Sequence, residues 1–180
     1  MKKFDWKQVD EAKQFARPCA GGYIVQITKV EDVADREYLR VEFDFTEGEF
    51  KGYCAGLIKS GFKPYSFIRS YKESARGFFK HFLSSLEQCN PGKFHADTFD
   101  GNEQEMVGLQ LGIILREEEY LKRDGTVGVS TKVYSFATQA AIIAKDYKVP
   151  PIKKLDNVPA AVPAPAAVAP TAANADDCPF

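Results

Sequence analysis

Very little in this sequence is arranged for chemistry. The four cysteines, Cys19, Cys54, Cys89 and Cys178, have no close spacing, and only two histidines, His81 and His95, stand beside them. That pattern excludes a zinc-type ligand set, so no metal is expected. No Gly-rich phosphate loop, Walker-type lysine or nucleophile elbow is present, which argues against an enzyme and against a cofactor. No apolar run approaches the roughly 20 residues of a membrane span. The start MKKFDWKQ lacks the apolar core of a signal peptide, so reduced thiols in a cytoplasmic protein are expected. A global excess of positive charge is also missing: the net charge is −1. A nucleic-acid binder with that balance must segregate its charge, and the distribution becomes the test.

What is present is enough for a folded domain. Hydrophobic residues make up 44% and aromatics 13% of 180 residues, unlike a disordered chain. Residues 1–20 read as an amphipathic lead-in packing on the domain, with Trp6 capping the core and Arg17-Pro18 ending it. Gly21-Gly22 opens a β-branched run, YIVQITKVEDV, followed by a turn at residues 34–37. YLRVEFDF then alternates strictly: Leu39, Val41, Phe43 and Phe45 face one way, Tyr38, Arg40, Glu42 and Asp44 the other. After the Glu47-Gly48 turn, FKGYCAGLI reads as the third strand of a meander.

Residues 59–70 contain Gly61 and Pro64 and read as an ordered loop. Ser70 stands three residues before Glu73, the spacing of a capping box. Behind it Ala75, Phe78, Phe79, Phe82, Leu83 and Leu86 recur with helical spacing and predict a core-facing helix, stopped at Asn90-Pro91-Gly92. Residues 93–105 read as an acidic loop. VGLQLGIIL alternates with Val107, Leu109, Leu111, Ile113 and Leu115 on one face, and Asp124-Gly125 marks a hairpin turn. VGVSTKVYSFATQAAI returns as the fifth strand, and AKDYKVPPIKKL is expected to pack outside.

Three strands, a helix and a two-stranded hairpin are the layout of an OB-fold, a five-stranded Greek-key barrel with one helix between strands 3 and 4. The fold expected is therefore mainly β, spanning residues 21–157. Residues 158–175 are almost all Ala, Pro and Val, which suits a flexible, semi-rigid linker. Residues 176–180 form an acidic tip.

The charge is segregated in one stretch. Between residues 59 and 80 lie Lys59, Lys63, Arg69, Lys72, Arg76 and Lys80 against the single acid Glu73, a local balance of +5. Phe62, Tyr65, Phe67 and Tyr71 are interleaved. Cations can follow a phosphate backbone while aromatic faces stack bases without regard to sequence. The alternative is a loop whose aromatics fold back over the barrel with its lysines solvated. Arg40, on the outward face of the second strand, and Lys132 and Tyr134, on one face of the fifth, complete the candidate DNA-binding set. Lys122 and Arg123 at the hairpin tip are weaker candidates. Glu117-Glu118-Glu119 reads as a solvated or inter-strand paired face, and His81 and His95 as structural or exposed.

The C-terminus carries a second signal. Asp176, Asp177, Pro179 and Phe180 combine acids, a stiffening proline and an aromatic beside a carboxylate, a tip suited to a pocket with a basic rim and an apolar floor. It resembles the Asp-Asp-x-Pro-Phe tip of bacterial single-stranded DNA-binding proteins, with Cys178 where that family usually has Ile. The succession GGYIVQITKVED, FTEGEFKGY, SYKESARGFFKHFLSSLEQCNPG and LREEEYLKRDGTVGVSTKVYSF is similar to phage and prophage proteins encoded among replication and recombination functions. The resemblances imply a protein that coats single-stranded DNA in a bacterial host cell and recruits replication, recombination or repair proteins through residues 176–180. They leave the oligomeric state open, a homo-oligomer included. The rival readings are an OB-fold protein–protein adaptor and a nuclease or recombinase accessory with a hidden metal site.

Overall fold

The computed structural model describes residues 17–155. The lead-in up to residue 16, the Pro/Ala linker and the acidic tip lie outside the described residues. Five strands, β1 (Gly21–Val33), β2 (Tyr38–Phe45), β3 (Ser66–Ser70), β4 (Gln110–Leu121) and β5 (Val127–Ala137), form one antiparallel sheet in the order β3-β2-β1-β4-β5. Three helices accompany them: α1 (Tyr53–Lys59), α2 (Arg76–Cys89) and α3 (Gln139–Ala144). The sheet is open, with β3 and β5 as its edges.

The alternation in β2 becomes its two faces: Leu39, Val41, Phe43 and Phe45 are buried, their neighbours half-buried. β1 pairs with β2 along Val25–Val33 and with β4 along Gly21–Gln26, and so joins the meander to the hairpin. Leu109, Leu111, Ile113 and Leu115 enter the same core, where Phe82, Leu83 and Leu86 of α2 meet them. The turn at residues 34–37 closes with Glu37 in the left-handed region at φ 54°. The Asp124-Gly125 turn forms as expected, with Gly125 at φ +83° and the Lys122 amide donating to the Thr126 carbonyl at 2.8 Å.

Several expectations are corrected. The third strand is not in FKGYCAGLI, whose last six residues instead belong to α1; it is Ser66–Ser70, inside the stretch read as a loop. A side chain ten residues upstream decides the matter. The Asp44 carboxylate accepts from the Cys54 amide at 2.8 Å and the Ala55 amide at 3.0 Å, and so caps a helix that the local sequence alone leaves ambiguous.

The capping box does not form. α2 starts at Arg76 after a 3-10 turn at Glu73–Ala75, and Ser70 ends β3 with its hydroxyl donating to the Glu37 carbonyl at 3.1 Å. Phe78 is not core but 76% exposed, because the buried arc of α2 runs through Phe79, Phe82, Leu83 and Leu86 and leaves Phe78 at its edge. Val107 is likewise exposed; the 3-10 turn Glu103–Met106 buries Met106 in its place, and β4 starts at Gln110. β5 ends at Ala137, where the Thr138 hydroxyl accepts from the Ala141 amide at 3.1 Å and starts α3.

α3 covers the outer face of the sheet at one place, with Ile142 and Tyr147 against Ile24 and Ile114. The segment after it packs outside as expected, running beside β4, where Lys153 exchanges backbone hydrogen bonds with Glu117 and Glu119 at 2.9 Å each. Among the described residues no helix is long and apolar enough to cross a membrane.

Candidate nucleic-acid interface

The basic stretch runs from the end of α1 across β3 to the start of α2. Lys59 is the last residue of α1 and exposed. Gly61, at φ +82°, turns the chain so that the Phe62 amide reaches the Leu57 carbonyl at 2.9 Å. Phe62 is 39% exposed, Lys63 is exposed, and Ile58 in α1 is 56% exposed. Lys72, Arg76 and Lys80 are all exposed; Arg76 and Lys80 lie one turn apart on α2, with exposed Phe78 between them in sequence.

The aromatics of the stretch divide. Tyr65 turns inward to Phe43, Phe45 and Tyr53, with ring centres 6.0–6.3 Å apart. Phe67 is core, 7% exposed, against Phe43, Phe82 and Phe136. Tyr71 packs on Phe79 and donates its hydroxyl to Asp32 at 2.8 Å, a bond that raises its pKa. Of the four only Phe62 is exposed, and Phe78, which helical spacing alone assigned to the core, adds a second exposed ring.

Register explains the split in β3. Its inner residues pair with inner residues of β2, Phe67 with Val41 and Arg69 with Leu39, whereas Ile68 faces out opposite Arg40. Arg69 therefore points into the seam between the two edge strands. Its guanidinium carbon lies 4.3 Å from the ring centre of Phe136 on β5 and 5.2 Å from that of Phe67. Burial draws its pKa down to about 10.

The remaining candidates are elsewhere on the sheet and already paired. Arg40 lies 3.8 Å from Glu31 on β1. Lys132 lies 3.0 Å from Glu118, which also accepts from Arg116. These two cations hold the Glu118 carboxyl below its usual range, the Arg116 hydrogen bond being the larger cause. Tyr134 is 52% exposed, with the Arg116 guanidinium 4.6 Å over its ring. The glutamate run thus contributes an inter-strand paired face at Glu118.

Two clefts, of about 380 and 330 Å³, are lined by Gly22, Phe50 and Ile142 and by Gln26, Asn90 and Gln139 among others, and no residue of 59–80 lines either. Cys19, Cys54 and Cys89 are free thiols, with burial pushing Cys54 up to about 12. Among the described residues no three His, Cys, Asp or Glu side chains converge on a metal position. No protein-family model matches the chain, and comparison with curated proteins gives no significant match.

Proposed function

We propose that this chain is a sequence-nonspecific single-stranded DNA-binding protein on a partly open OB-type Greek-key barrel. The fold reading is supported by a meander joined through β1 to a hairpin, with α2 between β3 and β4. The edges β3 and β5 approach each other through Phe67, Arg69 and Phe136.

One observation carries the functional reading. Lys59, Lys63, Arg69, Lys72, Arg76 and Lys80 occupy one continuous stretch, and none has an ion-pair partner among the described residues, whereas Arg40 and Lys132 do. Cations without ion-pair partners among the described residues, on a stretch that also exposes the Phe62 and Phe78 rings, suit a flexible polyanion whose bases stack. Each stacked base contributes roughly 1–3 kcal/mol. Phe62 and Phe78 are the rings for that role. Residues 176–180 then recruit replication, recombination or repair proteins, a reading that rests on their sequence.

Fluorescence anisotropy of labelled oligo(dT), titrated with the full-length protein at two salt concentrations and with duplex competitor, tests the first part. Tight, salt-sensitive binding that duplex does not compete is expected, since phosphate contacts release counterions. Absence of binding removes the reading. Phe180→Ala should abolish capture of partner enzymes without changing the thermal transition; unchanged capture removes the tip from the scheme.

A protein–protein adaptor is the second reading, favoured by Ile58 and Ile68, which are 56% and 52% exposed and stack no base. Retained partner capture by an Ile58→Ser, Ile68→Ser double variant would speak against it.

A further inference from the structure

Two half-buried arginines of the sheet have opposite surroundings. Arg116 on β4 lies over Tyr134 and is neutralised by Glu118, which holds Lys132 as well. Arg69 on β3 lies over Phe136 and Phe67 but pairs with no carboxylate among the described residues. Its one hydrogen bond runs from Nη1 to the Ile68 carbonyl at 3.2 Å; the buried Nε has no partner in either arginine, so the absent carboxylate is what sets Arg69 apart. A half-buried charge is costly without a counter-charge, and an anionic ligand would supply the one that Glu118 gives Arg116.

We infer that the seam between β3 and β5 is an anion site, in which Arg69 receives one phosphodiester of the bound single strand. The inference rests on the single-strand reading and gives that strand a path across the open edge of the sheet. The two rings hold the guanidinium carbon at the seam, 4.3 and 5.2 Å from their centres, and its planar fork is matched to two phosphate oxygens at once. Phe67 and Phe136 are occupied by the cation, so base stacking falls to Phe62 and Phe78. Lys72 and Arg76 follow just beyond the end of β3, so the strand that leaves the seam meets exposed cations.

The test uses full-length protein and oligo(dT) anisotropy across a salt series. Arg69→Met keeps length and apolar contact but removes the charge and the fork. It should weaken binding roughly tenfold and make the log–log salt slope shallower by about 0.7, one phosphate contact of a single strand. Arg69→Lys should keep the slope and still bind more weakly than wild type, because a point charge replaces a stacked fork. In wild-type protein the Arg69 Nε–H resonance, assigned by its loss in Arg69→Lys, should move on adding oligo(dT). Wild-type protein that binds oligo(dT), with Arg69→Met equal to it in affinity and slope, overturns the seam site alone. A motionless Nε resonance does the same, and it decides the matter if Arg69→Met shows no folding transition. Wild-type protein that does not bind oligo(dT) overturns the single-strand reading, and the seam site falls with it.

Discussion

Arg69 and Phe136 join the two edge strands where no hydrogen-bond ladder does, the guanidinium standing 4.3 Å from the ring centre. Phe136 also meets Phe82 at 5.3 Å and Phe67 at 5.5 Å, so one ring ties β5 to both β3 and α2. Phe136→Ala should therefore cost about 3 kcal/mol, the range for truncating a packed aromatic. Urea unfolding should show a lower midpoint with an unchanged slope. A loss below about 0.5 kcal/mol would mean that the edges hold together without it.

Asp44 sits in β2 yet holds the start of α1. Asp44→Ala should cost about 1 kcal/mol, typical of a lost helix cap. The loss should appear first as faster amide exchange at Cys54 and Ala55, whose N–H groups it accepts from. Unchanged exchange at those two amides would remove the carboxylate from the account of α1.

Phe78 and Phe82 lie four residues apart on α2 with opposite exposures, 76% and 0%. Phe82→Ala should destabilise by about 3–5 kcal/mol. Phe78→Ala should leave stability within about 0.5 kcal/mol, as for a surface change. If Phe78 stacks a base, the same substitution should weaken oligo(dT) binding by about 1–3 kcal/mol. Equal binding by Phe78→Ala and wild type would exclude that role.

Glu118 has a folded pKa below its unfolded one, because Arg116 and then Lys132 hold its charged form. Its contribution to stability is thus present above the unfolded carboxylate value and is lost as pH falls through the folded one. Thermal stability of Glu118→Gln should fall less steeply than that of wild type over the acid range. Parallel curves would mean that the pair does not couple to folding.

The legible parts of the fold were those with a long, clean period. Eight alternating residues defined β2, and Phe79, Phe82, Leu83 and Leu86 of the helical stripe marked the inner side of α2, whereas Phe78 of the same stripe faces out. Short elements escaped. The apolar run in YCAGLIK fits a strand or a helix, and Asp44, remote in sequence, decides between them. AAII after β5 presents the same ambiguity, settled by the hydroxyl of Thr138. β3 has only five residues, too few for alternation to show behind Gly61 and Pro64, so Tyr65, Phe67 and Arg69 could not be told from surface residues. The basic stretch itself was legible as composition. Which of its side chains face out depended on the register of β3 against β2, which composition does not contain.

Arg17 donates to the Val129 carbonyl at 2.6 Å, and the Leu155 amide donates to the Glu119 carboxylate at 3.1 Å. Val129 and Glu119 are direct partners in the β4–β5 ladder, so the segment before β1 and the segment after α3 hold the same rung. The chain's entry into β1 and its path beyond α3 are thereby brought to one place on the sheet. A circularly permuted chain, joined by a short linker from residue 155 to residue 17 and reopened at the Asp124–Gly125 turn, would keep every pairing of the sheet.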